Sequence, residues 1–77
     1  MSDVLVDAVG LACPQPVIAL AKAIRDVPLG TTVVVVADDP VAAVDIPAWC
    51  WTKGQSYDGL DVVADGEPPR YRVTRLV

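Results

Sequence analysis

Val4-Leu5-Val6-Asp7-Ala8-Val9-Gly10-Leu11-Ala12-Cys13-Pro14-Gln15-Pro16-Val17 contains the change of period from which the fold follows. Val4 to Val9 is rich in β-branched residues and halts at Gly10, so it reads as a strand. From Pro14 onward Val17, Leu20, Ala21, Ile24 and Val27 recur at spacings of three and four, while Lys22, Arg25 and Asp26 lie off that stripe. This is an amphipathic helix, and Pro28 and Gly30 stop it. Thr31 to Ala37, with Val33 to Val36 in unbroken succession, reads as a strand that lies centrally or is covered on both faces.

The rest of the chain extends the alternation. Val41 to Lys53 is apolar almost throughout, shows no single stripe and holds Pro47. It predicts a second helix, with the Asp39 carboxylate as N-cap and Pro40 at the first helical position, broken or restarted at Asp45-Ile46-Pro47 and ended by Gly54. Leu60, Val62 and Ala64 alternate with Asp61, Val63 and Asp65 to predict a third strand, preceded by a turn at Tyr57-Asp58-Gly59. After a turn at Asp65-Gly66-Glu67-Pro68-Pro69, Tyr71, Val73 and Arg75 alternate with Arg72 and Thr74 in a fourth strand, which pairs with the third as a hairpin. The order β-α-β-α-β-β predicts an α/β (α+β) chain, a four-stranded mixed sheet with two helices on one face. The opposite face is then at least partly open and must be polar or meet a partner.

Composition bounds the chemistry. With 77 residues the chain is a single domain, spanning 1–77, of a size that buries only about 60% of its unfolded surface. Hydrophobic residues make up 53% and Phe is absent, so the core is aliphatic. The absence of His removes Ser-His-Asp triads, Cys-His pairs and His zinc sites. Two cysteines cannot close a four-thiolate zinc site, and no cofactor or metal is expected. Ten acidic against six basic residues argue against direct nucleic-acid binding. The Met1-Ser2-Asp3 start lacks the features of a signal peptide, and Val33 to Ala37 is far below the roughly 20 residues of a membrane span. The expectation is a cytoplasmic protein with free thiols.

Cys13-Pro14-Gln15-Pro16 is the most informative stretch. With the helix starting at Pro14, Cys13 is its N-cap, and the sulfur lies beside the positive end of the helix dipole. That setting lowers a cysteine pKa and populates the thiolate at neutral pH. Pro14 and Pro16 stiffen the corner and remove two amide donors, leaving those of Gln15 and Val17 to face a sulfur anion. A small cap residue is the plain alternative, but Ser, Thr, Asp and Asn cap better than Cys.

Gly10-Leu11-Ala12-Cys13-Pro14-Gln15-Pro16-Val17, Val35-Val36-Ala37-Asp38-Asp39-Pro40, Asp45-Ile46-Pro47-Ala48-Trp49-Cys50 and Tyr71-Arg72-Val73 together resemble the TusA (SirA-like) sulfur-carrier family along nearly the whole chain. The resemblance implies a two-layer sandwich similar to the C-terminal domain of translation initiation factor three. It implies a sulfurtransferase in which Cys13 carries a persulfide, received from a cysteine desulfurase or other donor and passed to an acceptor protein. Members commonly carry a basic residue directly before the cysteine, where this chain has Ala12; loss of that cation weakens thiolate stabilisation. The pathway stays open between tRNA 2-thiouridine synthesis, sulfur oxidation and cofactor assembly. A persulfide is nucleophilic at its terminal sulfur, so such a carrier needs an exposed corner and a docking surface but no general base.

Other residues carry competing readings. Cys50, between Trp49 and Trp51, reads as a buried core thiol rather than a resolving partner for Cys13. Asp7 either supports the cysteine corner, as the resemblance implies, or is a solvated strand carboxylate. Asp38 and Asp39 are candidate partner contacts; they suggest a metal only weakly, and capping accounts for Asp39. Arg70, Arg72 and Arg75 form the one basic cluster, Arg70 and Arg72 on one strand face and Arg75 on the other; they meet an acidic partner or an RNA phosphate, or they protect a strand edge by charge. Trp49 and Trp51 cannot both face the core, so one marks a partner-contact patch. The rivals to a sulfur carrier are a non-catalytic interaction or regulatory domain and, by fold analogy alone, an RNA-binding module.

Overall fold

The computed structural model describes residues 3–61 and 65–77. In chain order the elements are β1 (Val4–Asp7), α1 (Gln15–Arg25), β2 (Thr32–Val36), α2 (Ala42–Lys53), β3 (Ser56–Asp61) and β4 (Arg70–Thr74). The strands form one sheet in the order β1-β2-β4-β3. β1 runs parallel to β2, which demands a crossover, and α1 supplies it. β2 with β4 and β3 with β4 pair antiparallel.

The helices share one side of this sheet. Val33 and Val35 of β2 stand opposite Val73 and Tyr71 of β4. These four side chains join Leu20 and Ile24 of α1 and Ala42, Ile46 and Cys50 of α2 in a single buried cluster. The fold is therefore the expected two-layer arrangement. On the other face Val34 is also buried, beneath its register partner Arg72. Arg72 reaches Asp3 at 2.9 Å on one flank and Asp61 at 3.7 Å on the other, so ion pairs cross the face that carries no helix.

The structure departs from expectation within both helices and in the last two strands. α2 is continuous through Pro47 instead of breaking at Asp45-Ile46-Pro47. Burial of Ile46 and Cys50 on either side of the proline holds it together against the lost hydrogen bond. β3 starts at Ser56, so Tyr57-Asp58-Gly59 lies inside the strand as a register shift, not before it as a turn. Tyr57 packs on the core, Gly59 has φ +129°, and Asp58 accepts hydrogen bonds from the hydroxyls of Ser56 and Thr74. Turn-forming residues also make bulges, so the local sequence does not separate the two. The Val62, Val63 and Ala64 part of the expected strand lies outside the described residues. β4 is an inner strand, so its arginines do not guard a sheet edge. Finally α1 begins at Gln15 with Pro14 as N-cap, which puts Cys13 one residue ahead of the cap.

Candidate functional site

Because β1 and β2 are parallel, their C-terminal ends lie side by side, Asp7 against Val36. The loop leaving β1 thus passes the Asp38-Asp39 turn leaving β2. Asp7 accepts the Val9 amide at 3.0 Å and closes the first bend. Gly10, at φ +82°, takes a left-handed conformation open to glycine, and its amide donates to Asp38 Oδ1 at 2.9 Å. The Cys13 amide donates to Asp39 Oδ2 at 2.9 Å, while Asp39 Oδ1 accepts the Val41 amide at 2.8 Å. Asp39 therefore anchors the cysteine and closes the turn ahead of α2. It is not the expected helix N-cap: α2 starts at Ala42 with Val41 at the cap and Pro40 still in the turn, because the carboxylate bonds the Val41 amide and no amide of the helix itself. These two amides, Cys13 first, hold its carboxyl below the ordinary value. Pro16, buried at the start of α1, fixes the corner from below.

Cys13 itself is exposed. Its thiol donates a hydrogen bond to Asp45 Oδ2, in the first turn of α2. That bond, then partial loss of water and the charges of Asp45 and Asp39, pushes the thiol up from 9.0 to about 11. The expected lowering by the α1 dipole is overturned. The reason is a shortage of donors: two prolines have none, and the Gln15 amide is spent on the Ala12 carbonyl at 2.9 Å. A carboxylate in direct contact outweighs what remains of the helix terminus. The contact with Asp45 favours the protonated form of the sulfur.

The structure gathers Gly10, Cys13, Pro14, Gln15, Asp38 and Asp39 at one corner, with Asp7 at the sheet end beneath it. Arg70 stands in the same cross-strand row as Asp7 and Val36, on the face without helices. Arg72 sits further along and is paired with Asp3, so it is not part of the corner. Arg75 is no part of a basic cluster: its guanidinium donates to the carbonyls of Val27 at 2.6 Å and Val77 at 2.9 Å, tying the chain end to the end of α1. Asp45 was missed as a site residue. Its signal was an acidic residue in the first turn of a helix whose entry turn already faced the cysteine loop.

The family model for sulfurtransferase TusA matches residues 4–75. The chain belongs to the TusA family. Its fold is also that of a solved SirA-like protein from Desulfitobacterium hafniense, at TM-score 0.75 and 22% identity over 96% of this chain and 99% of that one. Family membership makes this a sulfurtransferase of the sulfur-carrier kind, acting with donor and acceptor proteins. In this TusA-family chain the two thiols are unequal, as expected. Cys50 is 1% exposed and sits in the core, and burial first, then the Asp58 charge, pushes it up to about 11. The two tryptophans divide as well: Trp49 packs against the core and Trp51 is turned outward.

Proposed function

We propose that Cys13 is the residue that carries sulfur, taking it from a donor such as a cysteine desulfurase and handing it to an acceptor cysteine. The observation behind this reading is an exposed thiol on a corner pinned by side-chain-to-backbone bonds from Asp38 and Asp39. Such a sulfur enters a partner's active site while its own backbone stays fixed.

In loading, Cys13 gives up its proton to solvent and its thiolate attacks the terminal sulfur of the donor persulfide. The donor sulfur–sulfur bond breaks, and the donor cysteine leaves as a thiolate with the electron pair. Cys13 then holds the transferred sulfur as a persulfide, and attack by an acceptor thiolate on that outer sulfur regenerates the Cys13 thiolate. Asp45 keeps the unloaded thiol protonated until a partner displaces or neutralises its carboxylate. Because Asp39 lies in the turn that enters α2 and Asp45 in the first turn of the helix, movement there changes the sulfur's charge and position together.

This chemistry takes no metal or bound cofactor from the carrier. A cytoplasmic setting suits free thiols, and no helix among the described residues is long and apolar enough to cross a membrane. The RNA-binding reading loses support because Arg72 and Arg75 are engaged within the fold. Sulfur loading separates the carrier from a purely regulatory domain. Incubation with a desulfurase and radiolabelled cysteine is expected to label the wild type and not Cys13→Ser, with Cys13→Ala as a second control; label persisting on both variants refutes the assignment.

A further inference from the structure

α2 has two apolar stripes. Ala42, Ile46 and Cys50 face the core. Val41, Val44, Ala48 and Trp51, at spacings of three, four and three, face outward, with Val44 69% and Trp51 88% exposed. A single amphipathic face suffices to seat a surface helix on a sheet, so the outer stripe has no part in holding the fold. The stripe starts beside the sulfur: Asp39, which holds the Cys13 amide, also bonds the Val41 amide, and Asp45, next to Val44, receives the thiol.

We propose that this outer stripe of α2 is the surface on which the carrier seats its sulfur donor, a desulfurase presenting an apolar cleft edged with Lys or Arg beside its persulfide. The inference rests on Cys13 being the sulfur carrier. A stable complex covers about 800 Å² per partner, roughly a sixth of this chain's 4524 Å². The cysteine corner alone is too small for that, and the Val41-to-Trp51 stripe extends it with Val44 and Trp51, which are more exposed than the other apolar residues beside the corner, Val9 at 46% and Ile18 at 48%. Charge decides the kind of partner. Asp38, Asp39 and Asp45 surround the sulfur end of the stripe, so a basic rim is drawn to it, while a second copy brings a net charge of -4 against its own kind. A cation meeting Asp45 also takes the carboxylate away from the thiol, so docking and activation of the sulfur coincide.

The test measures sulfur loading from a purified cysteine desulfurase against carrier concentration, with inorganic polysulfide as a donor that needs no docking. Trp51→Ser and Val44→Ser, checked for wild-type circular dichroism and melting temperature, are expected to raise the half-saturating concentration about tenfold, the scale of one buried anchor residue. Maximal rate and polysulfide loading should stay unchanged. Half-saturation equal to wild type in both variants overturns the docking surface and leaves Cys13 as the carrier. Loading of the wild type by polysulfide but not by the desulfurase also overturns it. Loading by neither source refutes the carrier reading itself. A wild-type dimer in sedimentation equilibrium that Trp51→Ser converts to monomer, with loading unchanged, assigns the stripe to a second copy and overturns the proposal.

Discussion

Two carboxylates hold Cys13 in different ways, Asp39 through its amide and Asp45 through its thiol. The second bond stabilises the protonated sulfur, so removing it should free the thiolate. In Asp45→Asn the pH midpoint of iodoacetamide alkylation at Cys13, followed by mass spectrometry of that peptide, is expected to fall from about 11 towards 9.0 or below. At pH 8 the variant should therefore react faster; an equal or slower rate contradicts the role given to Asp45. Asp39→Ala removes a carboxylate that bonds the amides of two loops, Cys13 and Val41, and should lower the urea denaturation midpoint; an unchanged midpoint contradicts that anchoring role. The cysteine was legible in the sequence because its flanking prolines and the change of period mark it. Its protonation state was not, since that depends on Asp45, 32 residues away and brought near only by the parallel pairing of β1 and β2.

Elements show the same division between local and distant causes. α1 and β2 followed from period, because each has one decisive pattern, a stripe from Val17 to Val27 and a run of valines, although the helix itself stops at Arg25 and Val27 reaches the core from beyond its end. α2 lacked a stripe because it has two, one facing the core and one facing outward, and Pro47 then suggested a break that packing overrides. Pro47→Ala restores a backbone donor within a continuous helix, and should raise unfolding free energy by about 1 to 3 kcal/mol; a loss of stability means that the proline fits a feature of α2 beyond its hydrogen bonds. The helix ends at Gly54, φ +74°, with the Gln55 amide returning to the Cys50 carbonyl at 2.9 Å. An added Cβ there would lie 3.5 Å from Val77 Cγ2, an ordinary contact, so backbone conformation sets the penalty. Gly54→Ala should lose about 1 to 2 kcal/mol. β3 was misplaced because bulge and turn use the same residues, and only pairing with β4 tells them apart.

For the whole molecule, the composition that first served to exclude chemistry also describes the working surface. The lack of His suits a carrier that uses its partners' catalytic groups, and part of the acidity is concentrated at the sulfur corner, in Asp38, Asp39 and Asp45. It also sets an alkaline limit. Burial raises Cys50, Tyr57 and Tyr71, so the folded chain keeps protons that the unfolded chain has lost. Stability is then fully present below about pH 9 and falls as pH rises towards 11, the interval between the ordinary and folded values of Cys50. Melting temperature should drop through that range, and Cys50→Ala should drop less; a flat profile contradicts the burial of these groups. The claim on which the functional account rests is that Cys13 alone carries the sulfur. Intact-mass and peptide-level mass spectrometry after reaction with a desulfurase and cysteine tests it most directly. The expected result is one added sulfur on the Cys13 peptide, removed by a thiol reductant and absent from Cys13→Ser; the added sulfur on Cys50, or on Cys13→Ser, would contradict it.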